Sequence, residues 1–222
     1  MEKYKPFDEK NSKQLTDVLK ELFGDIEPFP VLKSEYEPVP LKQKDDINYE
    51  IQWQTDNIEN EGHKVIHVDQ NRHGETIIIY RLVYQDDIDD RNIHLRIRII
   101  TPKGVKAPDS NAFLVIYPET KRMVIADIRI EGDRVSRGYG SITMNAILKL
   151  VDQMHIRFIT GWISSVDWDH INRSEQFYSK FGFECDLNHE TKYGTIAWIN
   201  QSLGATREEL KDLMKSIRAR SE

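Results

Sequence analysis

Residues 134–141 form the segment whose residue types and spacing are best suited to chemistry, because they combine glycine with positive charge. The sequence there reads Arg-Val-Ser-Arg-Gly-Tyr-Gly-Ser. Gly138 and Gly140 carry no Cβ, so the backbone can come close to a ligand. Arg134 and Arg137 add two mobile positive charges beside that backbone. This combination predicts a loop that binds phosphate.

The elements on either side of the loop support this prediction. An alternating apolar run over residues 123–130 predicts a strand, and helical periodicity over residues 139–154 predicts a helix. The free N–H groups of a first helical turn, together with the helix dipole, favour an anion. Two nucleotide-binding motifs are excluded: no Gly-x-x-x-x-Gly-Lys-Ser/Thr run occurs, and Thr143 stands where a dinucleotide fingerprint needs its third glycine.

A second motif lies downstream, over residues 174–183, where Tyr178 precedes Gly182 and Phe183 by four and five positions. An apolar run over residues 156–163 lies between the two motifs and has the composition of a strand. Over residues 123–200 the order of strand, phosphate loop, helix, strand, helix, Tyr and Gly-Phe resembles the GNAT family. These Gcn5-related N-acetyltransferases bind coenzyme A.

The resemblance implies an α+β fold with a mixed, mostly antiparallel sheet flanked by helices, and the alternating residues from Tyr49 onward predict a β-rich N-terminal elaboration of it. It also implies that strands 123–130 and 156–163 splay apart, so that backbone 126–130 can pair with pantetheine. Acetyl-CoA is the expected co-substrate. The implied cofactor contacts are Ile128, Ile130, Arg134, Arg137, Gly138, Tyr139, Gly140, Ser141 and Asn172.

Two positions depart from the family pattern. Val135 stands where the family usually has Arg or Gln, and Ile171 stands where it often has Asn. Arg134 and Arg137 flank the first position, and Asn172 directly follows the second.

For catalysis, the resemblance implies that Tyr178 is the general acid that protonates the departing thiolate. A phenol with a pKa of about 10 suits this task. The alternative is a core tyrosine packed behind Phe181 and Phe183. Asp127 or Glu131, at the end of the strand beside the thioester, could act as general base. Trp162 is expected to line the acceptor cleft.

The chain divides into three predicted parts. Residues 1–46 contain a helix at 12–24 and a Pro-rich arm. Residues 47–202 form the acyl-CoA-binding domain. Residues 203–222 form a C-terminal helix with a capping box at Thr206 and Glu209. We predict a solvated acidic loop at 86–90. Further strands are predicted at 50–54, 64–68, 76–84, 92–101, 111–117 and 193–200, and a further helix at 170–180.

Composition narrows the range of partners. The 222 residues carry a net charge of −6 and contain one Cys, so we expect a cytoplasmic protein. The negative charge disfavours non-specific binding of nucleic acid and leaves only a local basic patch as an alternative. No apolar run approaches the ~20 residues needed to cross a bilayer, so we expect no membrane partner. We expect no metal site. The chain could form a homodimer, and its acidity favours a cationic acceptor such as a polyamine, an aminoglycoside or a Lys-bearing peptide.

The sequence therefore predicts an acyltransferase that moves acetyl from acetyl-CoA to a primary amine by direct attack, with the acceptor unidentified. The alternative is a non-catalytic acyl-CoA-binding or protein-interaction module with the same fold.

Overall fold

The computed structural model describes residues 38–43, 46–84, 91–130 and 136–218, with side chains described to residue 216. The predicted helix at 12–24, most of the Pro-rich arm and the acidic loop at 86–90 lie outside the described residues. The division of the chain after residues 46 and 202 stays a prediction.

The described residues form eight strands and four α-helices. The strands are β1 (Lys64–Gln70), β2 (Thr76–Arg81), β3 (Asn92–Thr101), β4 (Gly104–Tyr117), β5 (Arg122–Arg129), β6 (Phe158–Ile163), β7 (Glu184–Asn188) and β8 (Tyr193–Ile199). The helices are α1 (Ile47–Asn60), α2 (Tyr139–Gln153), α3 (Ile171–Lys180) and α4 (Arg207–Arg218).

The strands make one sheet in the order β1-β2-β3-β4-β5-β6-β8-β7. All neighbouring strands run antiparallel except β5 and β6, which run parallel. A parallel pair needs a crossover connection, and α2 supplies it. The predicted α+β fold with a mixed, mostly antiparallel sheet is confirmed.

The two faces of the sheet bury different helices, because side chains alternate along a strand. Ile77 of β2 joins the main core, which also contains the apolar side of α2. Its neighbour Ile78 points to the other face and packs in a cluster with Ile58 of α1. Further along that second face, Phe158 of β6 packs with Leu210 of α4.

The alternation predicted for residues 92–101 is confirmed in β3. Ile93, Leu95 and Ile97 are buried in the main core, whereas His94 and Arg96 are half-buried on the opposite face. Strict alternation with one polar side is typical of a strand whose two faces meet different environments.

The prediction of a strand over residues 50–54 is wrong, since these residues belong to α1. Glu50, Gln54 and Ile58 form its buried side, each four residues from the next, as on one face of a helix. Two of the three are polar, so the face does not appear as apolar periodicity. Their polar groups are paired: Gln54 Nε2 donates to Glu50 Oε1 at 2.7 Å, and Arg98 Nη1 donates to Gln54 Oε1 at 2.6 Å.

Strand β7 is absent from the sequence prediction. It pairs with β8 only, at the edge of the sheet, and consists of five residues. Cys185 and Leu187 pack against the main core while their neighbours are exposed. So short an alternating segment gives little periodicity to detect.

Strands β5 and β6 pair along only part of their length. The parallel register ends with Ile125 opposite Gly161, although both strands continue beyond this pair. The residues of β5 are buried as far as Ile125, and the next two, Ala126 and Asp127, are exposed. The predicted splaying of these two strands is therefore confirmed.

The predicted capping box at the start of α4 is also confirmed. The N–H of Glu209 donates to Thr206 Oγ1 at 3.2 Å, and the N–H of Thr206 donates to Glu209 Oε2 at 2.9 Å. This reciprocal pair satisfies two amides that the first helical turn leaves free.

Gly161→Ala should destabilise the protein, because the added Cβ would lie 2.9 Å from the carbonyl oxygen of Ile125 and 3.1 Å from Ile196 Cδ1. Overpacking of this kind costs ~1–3 kcal/mol of unfolding free energy. Urea unfolding measures the loss. The matched control Ala126→Val, at an exposed position of β5, should change stability by less than ~0.5 kcal/mol. Wild-type stability in Gly161→Ala would show that β5 and β6 separate easily at this pair.

Candidate functional site

Strands β5 and β6 stop pairing after Ile125 and Gly161. Beyond this point, the edge of β5 that faces β6 is open, because no described strand pairs with it. The other edge stays bonded to β4, where Asp127 lies opposite Phe113 and Arg129 opposite Asn111. The register skips Ala126, which forms a bulge. Past this bulge, no described strand pairs with the edge of β5 that faces β6. An extended ligand can add to such an edge through main-chain hydrogen bonds.

The described part of the predicted phosphate loop, residues 136–141, leads into the N-terminus of α2. Ser136 and Gly138 both have left-handed backbone conformations, with φ of 63° and 93°. The first intrahelical hydrogen bond runs from Ile142 N–H to Gly138 O at 3.1 Å. The N–H groups of residues 139–141 come before this bond and therefore have no acceptor within the helix. These N–H groups and the helix dipole make this end of α2 attractive to an anion.

Both glycines of the loop have a structural role of their own. Gly138 has a φ that residues with a Cβ adopt only under strain. A Cβ on Gly140 would lie 3.3 Å from Phe177 Cε2, so glycine here allows α2 and α3 to pack closely. The two glycines therefore shape the loop before any ligand arrives.

Two predicted cofactor contacts, Arg137 and Tyr139, are held by Glu75, which lies just before β2. Arg137 Nη1 lies 2.9 Å from Glu75 Oε1, and Tyr139 Oη donates to Glu75 Oε2 at 2.5 Å. The side chain of Tyr139 is fully buried, so its backbone N–H is the group left to meet a ligand.

Asn71 completes the surroundings of the Glu75 carboxylate. Its Nδ2 donates to Glu75 Oε2 at 2.7 Å and to the carbonyl oxygen of Arg137 at 3.2 Å. Burial raises the pKa of Glu75, but the hydrogen bonds from Tyr139 and Asn71 and the charges of Arg137 and Lys106 outweigh it. The pKa of Glu75 therefore lies below its usual value, and the carboxylate is ionised.

Lys180, the last residue of α3, also belongs to this end of α2. Its Nζ donates to Ser141 Oγ at 3.2 Å, and Ser141 lies in the first turn of α2. The lysine is exposed, so its ammonium group can reach a ligand bound there. Sequence reasoning missed Lys180 and Glu75, because spacing along the chain does not show which distant segment a side chain will contact.

Tyr178 lies on α3 among aromatic rings. Its ring centroid is 5.1 Å from that of Phe177 and 5.4 Å from that of Phe183. Its hydroxyl makes no hydrogen bond to another described residue. Burial, and then the negative charges of Asp127 and Asp167, raise the pKa of Tyr178 well above its usual value. The phenol therefore keeps its proton and can serve as a donor.

The charge of Asp127 acts on Tyr178, so the structure brings these two predicted catalytic residues into one neighbourhood. Asp127 directly follows the bulge of β5, its side chain is 47% exposed, and Arg129 Nε lies 3.9 Å from its Oδ2. A solvated carboxylate at the open edge can accept a proton. Glu131, the other predicted base, and Arg134 lie outside the described residues.

The remaining predicted residues surround the same opening or lie on α3. Ile128 and Ile130 are half-buried against the main core. Asn172 is exposed in the first turn of α3. Trp162 follows Gly161, the last residue of β6 that pairs with β5, and is 54% exposed. The indole is thus available as an apolar wall.

In the part of the chain that the structure describes, no three His, Cys, Asp or Glu side chains are placed to hold a metal ion. No helix among those same residues has the length and apolarity to cross a bilayer.

No protein-family model matches this chain. The uncharacterized protein YocC of Bacillus subtilis strain 168 is 26% identical over 161 residues, which are 72% of this chain and 92% of that protein. Similar solved structures include GNAT domains and N-acetyltransferases. The GNAT domain of S. lividans PAT is 9% identical, with a TM-score of 0.45 over 60% of this chain and 96% of that one. The Vibrio cholerae spermidine N-acetyltransferase in complex with CoA and spermine is 12% identical, with a TM-score of 0.42 over 52% and 70%.

Proposed function

We propose that this protein is an N-acetyltransferase of GNAT type that transfers the acetyl group of acetyl-CoA to a primary amine. The observation that carries the proposal is the open edge of β5, followed along the chain by the N-terminus of α2. A ligand with an extended amide-bearing arm and a diphosphate suits both features, since the arm can pair with the edge and the diphosphate with the helix N-terminus. Coenzyme A is such a ligand.

In this proposal the pantetheine arm lies along residues 126–130. The amides of the arm pair with the backbone of β5 as an added strand would, and the half-buried side chains of Ile128 and Ile130 support that backbone from the core. The bulge at Ala126 supports the proposal because bulges twist a strand locally and redirect its groups.

The diphosphate accepts hydrogen bonds from the backbone N–H groups of Tyr139, Gly140 and Ser141. Lys180 adds a positive charge beside them. Arg137 is already paired with the Glu75 carboxylate, whereas the Lys180 ammonium group meets two neutral groups, the Ser141 hydroxyl and the Phe181 ring. Lys180 is therefore our candidate for direct charge pairing with the ligand.

In the transfer, the lone pair of the amine attacks the carbonyl carbon of the thioester. The tetrahedral intermediate then collapses, the C–S bond breaks, and the departing sulfur takes a proton. Tyr178 supplies that proton, since its pKa lies above neutral pH and the phenol therefore carries its proton when the thiolate forms. Holding both substrates in line contributes further to the rate.

Asp127 takes the proton that the attacking amine loses, directly or through a water molecule. Its place beside the bulge of β5 and its exposure to solvent support this role. Trp162, on the far side of the opening, forms an apolar wall for the acceptor.

The proposal is tested by titrating CoA, acetyl-CoA, ATP and NAD into the protein by calorimetry. Acetyl-CoA is then incubated with a panel of primary amines, and free thiol and acetylated amine are measured. Binding of CoA species with turnover of an amine is expected. Binding without turnover across the panel would favour a non-catalytic acyl-CoA-binding module. Failure to bind any CoA species would contradict the proposal.

Tyr178→Phe should lower kcat by ~10²–10⁴-fold and leave the Kd for acetyl-CoA near the wild-type value, because only the proton donor is lost. Since the pKa of Tyr178 is raised, the wild-type kcat should also not fall with rising pH before about 10, the usual tyrosine value. Steady-state kinetics across pH measure both effects. Tyr193→Phe, at an exposed position of β8, is the control and should keep full activity. Full kcat in Tyr178→Phe would remove the acid role.

Lys180→Gln should weaken binding of CoA by about tenfold, the usual worth of one charge-assisted hydrogen bond. Calorimetry with CoA and with dephospho-CoA measures the loss. Equal losses for both ligands would assign Lys180 to the diphosphate, and a loss for CoA alone would assign it to the 3′-phosphate. The control Lys149→Gln changes an exposed lysine late in α2 and should have no effect. An unchanged Kd in Lys180→Gln would show that the ammonium group does not meet the ligand.

A further inference from the structure

We infer that Glu75 is a positioning residue that holds residues 137–139 in the conformation that receives an anion. The inference rests on the proposed function, because the anion concerned is the diphosphate of CoA. Glu75 belongs to the turn between β1 and β2, outside residues 123–200 that carry the family resemblance. It would thus give the N-terminal half of the chain a part in binding the cofactor.

The turn that carries Glu75 is well fixed by its own hydrogen bonds. Asn71 Oδ1 accepts from the N–H groups of His73 at 2.9 Å and Glu75 at 3.0 Å. The N–H of Asn71 donates to the carbonyl oxygen of Glu75 at 3.0 Å, and the N–H of Gly74 donates to that of Asn71 at 3.0 Å. Glu75 therefore approaches the loop from a rigid support.

From this support, three hydrogen bonds reach the loop on both sides of Gly138. Glu75 Oε1 accepts a hydrogen bond from Arg137 Nη1, and Glu75 Oε2 accepts one from Tyr139 Oη. Asn71 Nδ2 donates to the carbonyl oxygen of Arg137. Glycine has the widest backbone freedom of any residue, so an untethered Gly138 would let the start of α2 vary. Fixing both of its neighbours removes that freedom.

The charges of the cluster are compatible with an incoming anion. Arg137 and Lys106 both act on the Glu75 carboxylate as positive charges. These positive charges lie near the start of α2, where the helix dipole also favours negative charge. Arg137 acts here through Glu75 to shape the loop.

Glu75→Gln tests the inference, because it keeps the size of the side chain and removes the charge that holds Arg137. We expect the Kd for CoA to rise by about tenfold. The Kd for pantetheine, which has no diphosphate, should stay at the wild-type value. If Glu75 had a purely structural role, the substitution would weaken the binding of CoA and of pantetheine by the same factor. The ratio of the two Kd values therefore separates the two roles.

Two further variants make the test specific. The control Glu209→Gln removes the carboxylate of another ion pair, in which Glu209 Oε2 lies 2.8 Å from Arg157 Nη2. This pair lies in another part of the fold, so the control should leave both Kd values unchanged. Tyr139→Phe removes only the hydroxyl that donates to Glu75, so it should weaken CoA in the same direction by a smaller factor. Thermal unfolding is measured first, and if Glu75→Gln does not fold, Tyr139→Phe decides in its place.

An unchanged Kd for CoA in the deciding variant, or an equal loss for pantetheine, would overturn the inference. If the wild-type protein binds no CoA, the proposed function fails separately. In that case, the rate of hydrogen exchange of the Ile142 amide, which donates to the carbonyl oxygen of Gly138, is measured without ligand in the wild type and the variant. Faster exchange in the variant than in the wild type would support positioning of the loop, and equal rates would overturn it.

Discussion

The contact between Ile125 and Gly161 is the constraint on which the candidate site depends. Without a Cβ at Gly161, the carbonyl oxygen of Ile125 can lie close to β6, and this is the last position at which the two strands pair. The bulge at Ala126 follows at once, and β5 stays bonded to β4 alone. Its open edge is therefore held by a rigid sheet, so a ligand that pairs with it need not pay to order the strand.

Helix α3 links the two ends of the site. Tyr178 lies near enough to Asp127 for that charge to raise its pKa, while Lys180, two residues later, reaches Ser141 at the start of α2. The close approach of the two helices depends on Gly140, whose missing Cβ makes room for Phe177. One short helix thus carries both the candidate proton donor and the candidate phosphate contact, and the packing of Phe177 beside Gly140 sets how closely that helix approaches the start of α2.

Two acidic groups, the buried Glu75 and the half-buried Tyr178, show how the surroundings of a group decide its protonation. Burial alone raises the pKa of both Glu75 and Tyr178, because it disfavours the charged form. Glu75 meets hydrogen-bond donors and two cations, so its pKa ends below the usual value and it stays ionised. Tyr178 meets carboxylates, so its pKa rises further and it stays protonated. The first group can therefore hold a loop through charge, and the second can hold a proton for transfer.

The sequence by itself determined the features that depend on local pattern: the alternating strands, the glycines at the start of α2 and the order of elements that indicated the fold class. It also determined that Tyr178 lies near the end of a helix, although its role stays a proposal. Periodicity failed at α1, where polar residues such as Glu50 are buried because partners elsewhere in the fold satisfy them. Only the tertiary structure decided that Glu75 and Lys180 meet the start of α2. Those contacts join residues as far as 64 positions apart, and no local spacing encodes which distant side chain will satisfy a buried charge or a free helix end.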